Sequence, residues 1–181
     1  NIDRAIKRGS GQDDMGNFEE VTYEGYGPDG VAVMVKTLTD NRNRTAPDVR
    51  HAFEKNGGNM GTSGCVSFLF DHKGQIGIEK GDFIDEETLM LEAIDAGAED
   101  FEVLEGGYDI ITSPENFSQV LDTLRDSGYE FVISELTYLP VNTTELKAEE
   151  SIKQMEKLID MLEDNDDVQD VYTNWDQSDE A

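Results

Sequence analysis

Five consecutive apolar residues, Val31-Ala32-Val33-Met34-Val35, set the tightest limit on what this chain can fold into. A strand with no polar side must be covered on both faces, so the fold has to supply a layer above and below it. The run is entered through a turn cluster, Gly25-Tyr26-Gly27-Pro28-Asp29-Gly30. It is left through Thr39-Asp40-Asn41-Arg42-Asn43-Arg44-Thr45, which has no apolar side chain. Val49, Ala52 and Phe53 then recur at helical spacing, with Thr45 placed to cap the helix, Pro47 and Asp48 in its first turn, and Gly57-Gly58 to stop it. One covering layer is therefore helical.

The rest of the chain reads as further strands and helices, with no close internal repeat. Phe18–Tyr26 alternates as a strand; Cys65–Phe70 and Gln75–Glu79 read as two strands joined by an Asp71-His72-Lys73-Gly74 turn. Asp85 caps a helix to about Ala96, Phe101–Leu104 and Tyr108–Thr112 bracket a Gly106-Gly107 turn, and Ser113-Pro114 opens a helix with Phe117, Val120, Leu121 and Leu124 inward. Tyr129–Leu139 is a strand, Ala148–Glu163 a helix and Val168–Tyr172 a last strand. The expected class is α+β. Residues 31–79 supply βαββ and 148–172 supply αβ, the order of a ferredoxin-like βαββαβ domain, with a second small α+β domain inserted. The expected segments are 1–17 (the end of an N-terminal helical domain and a linker), 18–80 plus 141–176 (the discontinuous domain), 81–140 (the acidic insert) and 177–181 (a tail). Because Asn1 opens inside a helix-like run, the chain is expected to lack its natural beginning.

Charge restricts the partners. Residues 1–80 hold 10 Lys/Arg against 12 Asp/Glu, whereas 81–181 hold 4 against 29, giving the overall −27. The second part repels phosphate, so a nucleic-acid contact is expected in the first 80 residues or in whatever precedes them. No apolar run is long enough to span a bilayer, and the single Cys65 excludes an internal disulfide and suits a cytoplasmic protein. His51 and His72 show no metal-ligand spacing, and Asp164–Asp167 lacks the glycine and closing glutamate of a calcium loop. Gly57–Gly64 lacks the ending of a phosphate-binding loop. No metal, cofactor or small-molecule substrate is expected. Cys65 as a nucleophile is the enzymatic alternative; a half-buried, inert cysteine is preferred.

The candidate nucleic-acid contacts are Asn41, Arg42, Asn43 and Arg44 beside a helix N-terminus, extended by Arg50 and Lys55, together with Arg4, Lys7 and Arg8. The competing reading pairs Arg42 or Arg44 with local acids such as Asp40 and Asp48.

The segments NIDRAIKRGSG (1–11), YEGYGPDG (23–30), TDNRNRT (39–45), VRHAFEKNGGNMGTSG (49–64), EAIDAGAED (92–100) and LIDMLEDNDDVQDVYTN (158–174) resemble the YebC-like family. These are probable transcriptional regulatory proteins, and the family includes mitochondrial translational activators of cytochrome oxidase subunit I. The resemblance implies a basic N-terminal three-helix domain followed by two α+β domains, the third inserted into the second. It implies that NIDRAIKRG matches only the last helix of the first domain, and that nucleic acid is contacted mainly through the part missing here. The implied function is a non-enzymatic, nucleic-acid-associated regulator, with DNA-binding transcriptional control as the family label. The alternative it implies is a ribosome-associated translation factor contacting rRNA or tRNA.

Overall fold

The computed structural model describes residues 17–177, which form two compact units. One contains residues up to Phe70 and from Pro140 onward; the other is Asp71–Leu139. Each has its own antiparallel sheet, and four α-helices are present among the described residues, so the class is mixed α+β as expected.

In the first unit, β1 (Glu19–Tyr26) and β2 (Ala32–Thr39) pair from Glu19↔Thr39 to Tyr26↔Ala32. The turn between them places Asp29 and Gly30 at positive φ (56° and 84°). Helix α1 (Arg42–Lys55) follows, then the two-residue strand β3 (Asn59–Met60) on β1. Helix α4 (Glu149–Asp164) and strand β8 (Val168–Thr173) complete the unit, and the strand order is β3-β1-β2-β8. Val33 and Val35 face a core made with Phe53 of α1 and Met155, Leu158 and Leu162 of α4. Met34 points the other way and is also buried, so the apolar run is covered on both faces.

The second unit is built on β4 (Phe70–Glu79), β5 (Asp100–Val103), β6 (Gly107–Thr112) and β7 (Ile133–Pro140), in the order β5-β6-β4-β7. Ile76, Ile78, Tyr108 and Ile110 pack beneath α2 (Glu86–Ala96) and α3 (Phe117–Asp126), which contribute Leu89, Ala93, Val120 and Leu124.

Four local expectations are corrected. The strand patterns at 65–70 and 75–79 do not form a hairpin of the first sheet, whose order is ββαβ…αβ rather than βαββαβ. Asp71–Gly74 lies inside β4: Gly74 pairs with Thr112, and a Cβ there would run into Thr112 and Phe117, so this glycine serves close packing instead of a turn. Cys65–Leu69 is a turn and a short 3-10 helix, not a strand. Lastly, α1 begins three residues before Thr45. Its cap is Asn41, whose Oδ1 accepts the Arg44 N–H at 3.3 Å, while the Thr45 side chain is drawn inward. Pro47 consequently sits in the second turn of the helix.

Candidate nucleic-acid interface

The polar stretch Thr39–Thr45 is expected from sequence as an exposed contact loop. Most of it is instead the start of α1, and its two threonines, Thr39 and Thr45, are buried. Thr45 Oγ1 lies 2.7 Å from Thr39 Oγ1 and 2.7 Å from Asp167 Oδ2, all buried. Arg44 donates to the same carboxylate, from Nε to Oδ2 at 3.2 Å and from Nη2 to Oδ1 at 2.9 Å, and also to Asp40 Oδ1 at 3.0 Å. The two acids hold the Arg44 guanidinium pKa above its ordinary value, Asp167 first. Asp167 is positioned by the turn between α4 and β8: Asn165 caps its N–H at 2.9 Å, and its carbonyl accepts the Leu38 N–H at 2.8 Å. The acidic run at 164–167 is thus a helix-to-strand turn that supplies a buried receptor for Arg44 and Thr45.

This lock joins elements more than 120 residues apart in sequence. Arg44 therefore acts mainly within the fold, paired with Asp40 as the competing reading allowed and with Asp167, which sequence did not suggest. Nothing in a run of four Asp/Asn residues marks the one that is buried.

Arg42, Asn43 and Arg50 are exposed. At about 100° per residue they fall on one side of α1 within roughly a quarter turn, with Lys55 about 140° further round. Arg42 Nε lies 3.5 Å from Glu19 Oε1 and the guanidinium reaches the Tyr23 hydroxyl. Burial raises the Tyr23 phenol pKa, and Arg42 opposes that rise. Asp48, His51 and Glu54 are exposed on the same helix and dilute the patch. Arg4, Lys7 and Arg8 lie outside the described residues.

Residues 18–175 match the family described as the TACO1/YebC second and third domain. The chain belongs to the TACO1/YebC family. A Clostridioides difficile relative named "Probable transcriptional regulatory protein" is 58% identical over 175 residues, covering 97% of this chain and 73% of the relative. A Ruminiclostridium cellulolyticum protein with the same kind of name is 57% identical over 180 residues, covering 99% and 73%. The crystal structure of a conserved hypothetical protein from Aquifex aeolicus superposes with a TM-score of 0.77 at 41% identity, covering 97% of this chain and 77% of that one. The relatives carry the name of a regulator and not of an enzyme.

Glu24, in β1, is a buried carboxylate that accepts the backbone N–H groups of Gly64 (2.6 Å), Val66 (3.1 Å) and Ser67 (2.6 Å). The Tyr26 hydroxyl donates to the Cys65 carbonyl at 3.2 Å. N–H groups that converge on one carboxylate cannot alternate along a ladder, which is why 65–69 is not a strand. The available sequence signal was an acid, Glu24, between the aromatic residues Tyr23 and Tyr26 of a strand pattern. The Cys65 thiol is pushed up by burial and then by Glu24, away from the thiolate a nucleophile needs. His72 stacks on Tyr138 at 4.7 Å, and among the described residues no group of His, Cys, Asp and Glu could hold a metal ion. No described helix is long and apolar enough to cross a membrane.

Proposed function

We propose that this chain is the nucleic-acid-associated part of a regulator of gene expression, with DNA-binding transcriptional control as the leading form. The observation that carries it is the exposed row Arg42, Asn43 and Arg50, which runs along one side of α1 from its N-terminal end to its middle, in the part of the chain free of a large acidic surplus. A helix N-terminus with guanidinium and amide donors suits a phosphate. The names of the relatives support the regulatory reading. In this arrangement Asn41 and Arg44 set the start of the helix, and Arg42, Asn43 and Arg50 make the contact, with Lys55 at its margin. So few cations give a secondary contact rather than the main grip.

A second reading, a ribosome-associated translation factor, is favoured by one observation. Residues 81–181 hold 4 Lys/Arg against 29 Asp/Glu, which opposes naked duplex but is tolerated beside the basic proteins of a ribonucleoprotein.

The test compares duplex-DNA gel shifts with ribosome co-sedimentation across a salt series. The DNA reading expects the Arg42→Ala/Arg50→Ala chain to bind duplex more weakly, with its log-log salt slope reduced by about 2. Co-sedimentation that survives moderate salt, with only salt-labile duplex binding, replaces that reading with the ribosomal one. Unchanged binding in both assays removes α1 as the contact.

A further inference from the structure

The second unit holds 18 Asp/Glu against 3 Lys/Arg, a net −15, yet it exposes a patch of large apolar side chains. Phe83 is fully exposed, Val132 61%, Leu136 47% and Ile133 41%. Two hollows meet at Val132. One, of about 500 Å³, lies between the segments 78–84 and 127–132 and is lined by Ile84, Tyr129 and Phe131; the other, of about 240 Å³, is lined by Leu104 and Ile133. Solvent-exposed apolar patches rimmed by polar residues mark interaction surfaces.

The backbone beside this patch is also open. Strand β7 is the last strand of its sheet, joined to β4 on one side only. Val132, the residue before β7, gives its N–H to the Gly77 carbonyl at 2.9 Å, and along β7 alternate backbone N–H groups turn away from β4 toward the open edge. An exposed strand edge beside apolar hollows is the requirement for strand addition, in which main-chain bonds give affinity and the hollows select side chains.

The charge selects the occupant. Glu79 and Glu130 line the larger hollow, Asp82 lies between its lining residues in sequence, and Glu135 is exposed on β7. Lys80, on the same rim, leans over the Tyr108 ring at 5.9 Å. A second copy would bring −15 against −15, and phosphate is repelled for the same reason. We infer that the open edge of β7 takes an extended, Lys/Arg-rich protein segment as a fifth strand, with alternate aliphatic residues lodged at Val132 and its hollows. This inference is independent of the α1 contact and concerns the other unit.

The test uses the isotopically labelled chain and an eight-residue peptide alternating Lys and Val, with a second peptide N-methylated at alternate positions. The peptide is expected to slow amide exchange at alternate residues of β7, those whose N–H groups turn away from β4, and the methylated peptide to bind at least about tenfold more weakly. Val132→Asp and Leu136→Asp are expected to weaken binding by a similar factor, while Phe68→Ser, in the first unit, leaves it unchanged. The amide signals of Ile76 and Ile110 report whether each variant stays folded. If either variant unfolds, the two peptides on the unaltered chain decide alone. Equal affinity for both peptides, shifts spread over the acidic surface, the same protection of β7 by chain concentration without peptide, or the same protection by a single-stranded RNA would each overturn the inference.

Discussion

Arg44→Ala separates a structural arginine from a nucleic-acid contact. The substitution removes the guanidinium from an Asp167 carboxylate whose side chain is only 6% exposed, while the Thr45 hydroxyl at 2.7 Å stays among its remaining partners. Deleting one partner of a fully buried pair costs about 3–5 kcal/mol. Arg44 is itself 48% exposed, so entering water replaces part of what is lost, and the expected cost is about 2 kcal/mol. The reverse deletion, Asp167→Ala, leaves Arg44 with Asp40 at 3.0 Å and solvent, and Thr45 with Thr39 and the Asn41 carbonyl. Its cost is expected to be about 1 kcal/mol, the scale of one hydrogen bond. The double variant should lose less than the sum, because the two residues share one interaction. Trp175 is the only tryptophan and belongs to the core of the first unit, so its fluorescence in a urea titration reports that unit alone. A loss below about 0.5 kcal/mol for Arg44→Ala, or a larger loss for Asp167→Ala, would refute the lock and return Arg44 to the surface contacts.

Two further outcomes follow from the same structure. Glu24→Gln keeps one acceptor oxygen but removes the charge that holds three N–H groups; it should cost about 2 kcal/mol, speed amide exchange at Gly64, Val66 and Ser67, and make Cys65 easier to alkylate. Unchanged exchange at all three amides would show that the turn holds itself. Burial raises the Asp109 carboxyl above its ordinary 3.8, with Asp100 adding to the rise and Gln75 opposing it. A carboxyl raised on folding contributes stability below its unfolded pKa and loses it as pH rises through the raised value. Asp109→Asn should therefore melt higher than the parent at pH 7, with the gap narrowing toward pH 4. A gap that does not change with pH would show that the residue acts through packing instead.

Legibility followed the range of the interactions. The helices α2 and α4, the β5–β6 hairpin and the covered strand at 31–35 could be read because periodicity and punctuation are local. The site was half legible: Arg42, Asn43 and Arg50 are exposed as expected, whereas Arg44 is tied inward by Asp167, 123 positions away. No local pattern announces a partner at that separation. The same limit explains the two misread turns. Gly74 resembled a turn glycine until Thr112 and Phe117 were packed against it, and 65–69 resembled a strand until Glu24 gathered its N–H groups.

The sequence by itself determined the α+β class, a strand needing cover on two faces, the split of charge between the parts of the chain, and the family. Those depend on composition, periodicity and motifs, which are properties of neighbours along the chain. Tertiary structure decided which polar residues of Thr39–Thr45 face solvent, which sheet owns β4, and where an open strand edge meets an apolar patch. Each of these depends on residues brought together from distant positions, where burial converts an ordinary Asp or Glu into a fixed receptor for N–H groups and guanidinium.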